Sequence, residues 1–323
     1  MTDEPVHTAS ARRPLPPHPH ERKRPLPWQE PKPSQDDERA LDAVKEILDN
    51  PSYREADEDI EFLHSDATRG ARLQLDYLKT ESLLRKHDVA HTIVVFGGTR
   101  IVEPQAARRE VRQWTEAAAA NEADPEIRRR LAIARRIEAK SRYYEVARAF
   151  GRVVGAAGER AAGGRIVIMT GGGPGIMEAA NRGAHDAGAK SVGLNITLPH
   201  EQFPNPYVTP DLCFSFHYFA MRKLHFLMRA RALVAFPGGF GTLDEFFEVL
   251  SLAQTRKIKP VPVVLVGEAY WRRVLDVDFL VDEGVIDPED RELFWFAESA
   301  DDIWRGILAW YEASGAPLLK AAP

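Results

Sequence analysis

The chain has a single cysteine, Cys213, among its 323 residues. One thiol excludes an intramolecular disulfide and is typical of proteins in a reducing cytoplasm. The sequence also lacks any apolar run near the ~20 residues that a membrane-spanning helix requires, and its amino terminus lacks the apolar core of a signal peptide. The net charge is only −5, so no excess of positive charge points to nucleic acid or to an anionic membrane. These absences predict a soluble cytoplasmic protein with neither a membrane nor a nucleic-acid partner.

The amino-terminal residues 1–33 are rich in proline, in stretches such as "RRPLPPHPH". Such a segment cannot bury enough apolar surface to offset the entropy of ordering the chain, so we predict a disordered tail. Pro14 to Pro17 have the PxxP spacing of docking peptides, which leaves a tail-binding partner and a plain solvated tail as alternatives. After the tail, apolar residues at helical spacing predict a helical extension over residues 34–90.

Short β-branched runs alternate with helical segments along residues 91–323. The runs are "HTIVVF", "RIVIMT", "SVGLNIT", "ALVAF" and "VPVVLV", with "LFWFAES" as a further candidate. This alternation predicts an α/β fold, a Rossmann-like doubly wound parallel sheet with helices on both faces and a ligand at the carboxyl ends of the strands.

A helical insert over about residues 103–162 separates the first two predicted strands. Its segment 128–142 contains seven basic residues against one acid, Glu138. A solvated or subunit-facing helix and a site for an anionic effector are both open interpretations of this segment.

The first glycine loop, "TGGGPGIME", follows a strand and opens a helix. Backbone N–H groups at a helix N-terminus favour an anion, and glycine lets a ligand approach the backbone closely. The loop is not a dinucleotide fingerprint, because Ile176 stands where the third glycine would be and the next strand ends at Asn195 rather than at an acid. No Gly-Lys-Ser/Thr follows, so it is not a P-loop either. NAD and ATP are therefore disfavoured, and tight packing is the alternative reason for the glycines.

The second loop, "FPGGFGTLDEF", has the same place between a strand and a helix. Thr242 and Glu245 have the spacing of a capping box, in which each side chain satisfies the other's backbone N–H. A capping box does not explain three glycines within four residues. A helix upstream carries Arg222 and Lys223 and leads into the strand before the loop. We therefore predict that Arg222 and Glu245 converge above the edge of the sheet.

The segment "PGGFGTLDE", preceded by "RK" and further upstream by "GGGPGIME", resembles the LOG family. That family comprises cytokinin riboside 5′-monophosphate phosphoribohydrolases and related nucleotide 5′-monophosphate nucleosidases, historically labelled lysine decarboxylases. The likeness covers about residues 90–270, and the tail, extension and basic insert resemble the longer bacterial members.

The resemblance implies hydrolysis of the N-glycosidic bond of a nucleoside 5′-monophosphate, of the AMP or cytokinin riboside monophosphate type. The products are the free base and ribose 5-phosphate. The resemblance further implies that neither a metal nor an organic cofactor takes part, and that the chain forms a homo-oligomer, a dimer or larger.

Carried over by motif, the catalytic pair of the family falls on Arg222 and Glu245. Substrate contacts fall on Gly97, Gly98, Gly171, Gly172, Gly173, Gly175, Glu201, Lys223, Gly238, Gly239, Phe240, Gly241, Thr242, Leu243 and Asp244. Short members read Met-His-x-Arg-Lys where this chain reads Phe-Ala-Met-Arg-Lys, so the resemblance leaves the preferred base undecided.

Two rival functions stay open. Molybdenum-cofactor carrier proteins resemble this fold and hold a nucleotide-like ligand on a similar glycine loop without chemistry, although the combination of Arg222 and Glu245 favours a hydrolase. A pyridoxal-phosphate decarboxylase rests on the older family label alone. It would need a Schiff-base lysine, and no lysine of the sequence is marked for that role.

Overall fold

The computed structural model describes residue 26 and residues 29–121, 123–158, 161, 163–197 and 203–319. Most of the proline-rich tail, with its PxxP segment, lies outside these residues. The chain divides into two compact units, Met1–Arg69 and Gly70–Pro323. The described part of the first unit contains α1 (Ala40–Asp49) and α2 (Ile60–His64). Helix α2 begins where the Asp59 side chain accepts a hydrogen bond from the N–H of Phe62. Helix α3 (Arg69–Lys86) begins at the boundary between the units.

In the described part of the second unit, seven strands form one parallel sheet. They are β1 (Val89–Phe96), β2 (Arg165–Thr170), β3 (Ser191–Ile196), β4 (Cys213–Phe216), β5 (Ala230–Ala235), β6 (Val263–Val266) and β7 (Trp295–Ala297). The strand order is β4-β3-β2-β1-β5-β6-β7. The predicted Rossmann-like parallel sheet is confirmed. Because the chain leaves β1 towards β2 and leaves β5 towards β6, the direction of winding changes between β1 and β5, where open α/β sheets bind ligands.

Helices cover both faces of the sheet. Those that follow α3 are α4 (Pro104–Ala120), α5 (Pro125–Lys140), α6 (Arg142–Ala157), α7 (Ile176–Asp186), α8 (Phe219–Met228), α9 (Phe240–Gln254), α10 (Glu268–Val274), α11 (Val277–Asp282) and α12 (Ala300–Ala313). Ile93 and Val95 of β1 pack with α6, α7 and α12, whereas Val94 and Phe96 pack with α3, α8 and α9. This alternation is the two-residue period of a strand buried on both faces. None of the helices in the described ranges is both long and apolar enough to cross a lipid bilayer.

The three helices between β1 and β2 differ in burial. Over their described lengths α4 and α5 each bury one residue, Ala107 and Ala134. Helix α6 instead buries an apolar face that includes Tyr144, Phe150 and Val154. The segment 103–162 therefore contributes α6 to the core of the second unit, and six of the seven basic residues of its segment 128–142 lie on α5.

Strand β4 was not predicted from the sequence. It is four residues long, lies at the edge of the sheet beside β3, and exposes Ser215 between buried Phe214 and Phe216. A stretch this short carries too little periodicity to be told from a loop.

Candidate active site

Three loops meet at the carboxyl edge of the sheet, after β1, β2 and β5. The N–H of Gly98 donates to the carbonyl of Pro237 at 2.9 Å, and the N–H of Ile176 donates to the carbonyl of Gly98 at 3.3 Å. Gly175 has a φ of 74°, and a side chain there would collide with the backbone of Gly98 and Thr99. The structure thus brings the predicted glycines of all three loops together.

A buried polar network fixes the loop after β2. Thr170 donates from its hydroxyl to Asn181 Oδ1 at 2.7 Å and accepts from the N–H of Gly172 at 2.9 Å. Asn205 donates through Nδ2 to the carbonyl of Gly173 and to Asn181 Oδ1, both at 3.0 Å. The N–H of Gly172 is therefore used inside the protein. Sequence reasoning missed Asn205, because it lies in an irregular segment far along the chain and no local pattern marks it.

The loop after β5 leads into α9 without a side-chain cap. The N-cap residue is Gly239, and α9 begins at Phe240 with no side-chain cap hydrogen bond. The capping box considered for Thr242 and Glu245 is therefore wrong, since Thr242 already lies inside the helix. Gly239 and Gly241 are exposed, as is Phe240, whose side chain is 91% accessible. By contrast, Asp124 and Ser299 cap α5 and α12 with their side chains.

Arg222 projects from α8 into the edge of the sheet. Its Nε donates to the carbonyl of Leu194, at the end of β3, at 2.7 Å. Its guanidinium carbon lies 5.1 Å from the ring centre of Phe226. Burial lowers the pKa of this guanidinium, while Glu245 and Asp244 act in the opposite direction. A side chain on Gly171 would meet Nη2 of Arg222 at 2.7 Å, so the loop after β2 borders the same guanidinium.

Arg222 and Glu245 face each other as predicted. Nη1 of Arg222 lies 3.8 Å from Oε1 of Glu245, and the two side chains are 14% and 7% exposed. This separation makes an ion pair but is too long for a direct hydrogen bond, so the carboxylate can still accept another donor. Burial raises the pKa of Glu245 to about 7, against the opposing effect of Arg222 and Lys223. A carboxyl group with such a pKa exchanges a proton near neutral pH.

Lys223 points to carboxylates on α9. Its Nζ lies 2.9 Å from Asp244 and 3.3 Å from Glu248. In this arrangement its charge is balanced by two acids, so it is not presented to an anion. Together with Glu245, three carboxylates surround the two cations Arg222 and Lys223, and this surplus of negative charge suits a ligand that develops positive charge.

Two further predicted residues, Gly97 and Leu243, contribute to packing, and a third, Glu201, is not described by the structure. Gly97 is buried, and a side chain there would collide with Ile176. Leu243 is half-buried in α9 and packs against the core on that face of the sheet. Glu201 lies outside the described residues.

Comparison with known proteins bears on the same segment. A family model described as "Possible lysine decarboxylase" matches residues 177–307, which include Arg222, Glu245 and the loop between them. A "Probable cytokinin riboside 5′-monophosphate phosphoribohydrolase" of Oryza sativa subsp. japonica is 32% identical over 140 residues, 42% of this chain and 56% of the relative. A cytokinin riboside 5′-monophosphate phosphoribohydrolase of Arabidopsis thaliana is 30% identical over 141 residues, 42% of this chain and 64% of the relative. The chain is therefore similar, over part of its length, to phosphoribohydrolases of the LOG type.

The chain spans 56% and 64% of the length of these two curated proteins, which is less than two thirds. Among solved structures, the molybdenum cofactor binding protein from Rippkaea orientalis is 20% identical, with a TM-score of 0.39 over 68% of this chain and 96% of that one. A likeness at that level is no guide to activity.

Proposed function

We propose that this protein hydrolyses the N-glycosidic bond of a nucleoside 5′-monophosphate and releases the free base and ribose 5-phosphate, as an enzyme of the LOG type. The observation that carries the proposal is the buried pair of Arg222 and Glu245, 3.8 Å apart beside an uncapped glycine-rich helix start. The names of the curated relatives, cytokinin riboside 5′-monophosphate phosphoribohydrolases, support the same substrate class.

The start of α9 suits the 5′-phosphate. The first N–H groups of a helix and its dipole attract an anion, and among the described residues no side chain caps this helix. Packing does not account for two of its glycines, because a side chain on Gly239 or Gly241 would meet nothing within 4 Å. Neither residue has a positive φ. Close approach of a ligand to the backbone is the physical reason that remains for glycine at these two positions.

Glu245 suits the sugar. Cleavage of a glycosidic bond passes through an oxocarbenium-like state with positive charge on the sugar, which a nearby carboxylate stabilises. In the proposed step the oxygen of water bonds to the anomeric carbon and Glu245 takes a proton from that water. The C–N bond breaks with its electron pair on the base, which takes up a proton from solvent and leaves as the neutral base. A pKa of about 7 for Glu245 matches a base that works near neutral pH.

Arg222 positions the carboxylate. The hydrogen bond to Leu194 and the contact with Phe226 hold the guanidinium in place, so that Nη1 faces Glu245. This cation keeps part of the Glu245 population ionised in a buried setting that otherwise favours the neutral acid.

Incubation of the purified protein with AMP, followed by chromatography for adenine, tests the proposal. We expect adenine and ribose 5-phosphate in equal amounts, and much slower release of adenine from adenosine, which lacks the phosphate. Cytokinin riboside monophosphates and other purine and pyrimidine monophosphates extend the panel to base preference. Binding of AMP with no release of base from any of these compounds would refute hydrolysis and favour a carrier.

A further inference from the structure

A cavity of about 490 Å³ lies between α5 and the loops after β1 and β5. Its floor includes Gly98, Pro237, Gly238 and Gly239, which are part of the proposed phosphate loop. Its volume is within the range of small-molecule sites. Neither Arg222 nor Glu245 lines it, so the cavity borders the loop that leads to the reacting centre without including the catalytic pair.

Helix α5 turns one stripe of side chains towards this cavity. Ile133, Arg136, Ile137 and Lys140 all line it, and their spacing of three and four residues places them on one face of the helix. The cavity wall therefore combines two apolar side chains with two cations from the helix. Arg100, from the loop after β1, adds a third cation.

Within the described part of the chain, these three cations line the cavity without an acid beside them. No aspartate or glutamate of the described chain lines the cavity. Lys140 donates through Nζ to the backbone carbonyl of Arg136 at 3.3 Å, and this neutral acceptor does not cancel its charge. Elsewhere on α5 the situation is different, because Arg129 and Arg130 both bind Glu126. Positive charge without a carboxylate partner in a concave site favours an anionic ligand.

We propose that Arg136 and Lys140, with Arg100, form a cationic wall that binds the 5′-phosphate of the substrate from the side opposite the glycine loop. This inference rests on the proposed function and assigns a role in substrate specificity to residues of the insert. Neither of the two cations of the catalytic site is available to the phosphate, since Lys223 is paired with two carboxylates and Arg222 faces Glu245. The wall supplies the positive charge that a phosphate dianion requires.

The test compares two double variants of the full-length chain. Arg136→Gln/Lys140→Gln removes two charges from the wall. Arg128→Gln/Arg135→Gln removes two charges from the same helix at exposed positions that do not line the cavity. Affinity for AMP and for adenosine is measured by calorimetry in a Glu245→Gln background, so that turnover does not consume the ligand. KM and kcat for AMP are measured in the otherwise unchanged protein.

We expect the wall variant to bind AMP at least about tenfold more weakly and to have a correspondingly higher KM with kcat within about twofold, because the wall binds ground state and transition state alike. Adenosine binding and the control variant should be unchanged. The loss should shrink as ionic strength rises, since salt screens exposed charges.

The two proposals fail differently. Unchanged AMP affinity in the wall variant, an equal loss in the control variant, or no AMP binding by the parent protein would overturn the cationic wall. If AMP binds in a wall-dependent manner but is never hydrolysed, the wall stands and the nucleosidase proposal fails. If AMP is hydrolysed with the same KM in parent and wall variant, the nucleosidase stands and the wall is wrong.

Discussion

At the scale of single residues, Glu245 is the group of the site whose charged form is most clearly disfavoured by burial. It is 5% exposed, and burial raises its pKa although Arg222 lies within ion-pair distance. A charge kept in such a place destabilises the fold, and proteins retain this arrangement where function requires it. Two consequences can be measured separately, one for turnover and one for stability.

Turnover should require the ionised form of Glu245. A base with a pKa of about 7 is largely protonated at pH 6 and largely ionised at pH 8, so we expect kcat/KM for AMP to rise through neutral pH and then level off. Glu245→Gln should lower kcat by about 100-fold or more and abolish this rise, since oxyanion and carboxylate contributions of this type are of that size. A variant that kept both the parent rate and the parent pH profile would remove Glu245 from the mechanism.

Stability should change in the opposite sense. The pKa of Glu245 is raised from 4.5 to about 7 in the folded chain, so its contribution to stability is complete below pH 4.5 and is lost as pH rises through about 7. Glutamine stays neutral, so at pH 8 the free energy of unfolding of Glu245→Gln should exceed that of the parent by on the order of 2–3 kcal/mol. The variant should therefore unfold at a higher urea concentration. The two proteins should converge near pH 4. Equal unfolding curves at pH 8 would mean that burial does not penalise the charge.

The positions of single residues could be predicted from the sequence where the order of the surrounding helices and strands determines them. Arg222 lies near the start of α8, which precedes β5, and Glu245 lies near the start of α9, which follows β5. Because helices run antiparallel to the strands they connect in such a sheet, both helix starts are expected at its carboxyl edge. The pairing of Lys223 with Asp244 and Glu248 was not predictable, because it depends on the rotation of α8 relative to α9. The capping box failed because two residues with the right spacing do not determine where a helix begins.

At the scale of elements, the loop after β5 separates two roles for glycine. Gly238 is required by packing, since a side chain there would collide with Thr242, whereas Gly239 has open space around it. The strands on each side were predicted from their apolar runs. The sequence could not divide the glycines between packing and ligand approach, since that depends on atoms from other segments.

These neighbours form a matched pair of substitutions. Gly238→Ala should lower the free energy of unfolding by about 1–3 kcal/mol, because the buried Thr242 side chain must move. Gly239→Ala should leave stability nearly unchanged and raise KM for AMP, because a methyl group would stand where the phosphate approaches. Thermal unfolding and steady-state kinetics on both variants are the measurements. A Gly239→Ala enzyme with the parent KM would show that this glycine does not face the substrate.

At the scale of the whole second unit, the site lies where the winding of the sheet changes direction, between β1 and β5. The alternation of strands and helices was sufficient to predict this location. It was not sufficient to show that α6, inside the predicted insert, is a core helix. Its helical period is the same whether the apolar face meets the sheet or another subunit, and only the packing against α7 decides the matter.

That packing gives the last prediction. Gly183 of α7 lies against the backbone of α6, where a side chain would collide with Arg148 and Arg152, whereas Gly70 of α3 has nothing within 4 Å of the same position. Gly183→Ala should therefore force α6 and α7 apart and lower the urea midpoint of the whole unit, with a loss of about 1–3 kcal/mol or more. Gly70→Ala should be neutral or stabilising by up to about 1 kcal/mol, since alanine is the better helix former.

Because α7 begins at the loop after β2, Gly183→Ala should also weaken AMP binding although it lies two turns away from that loop. Unfolding monitored by circular dichroism, together with AMP titration, checks both effects. A Gly183→Ala protein with the parent midpoint would show that the two helices can separate without loss, and that α6 is not part of the core that holds the site.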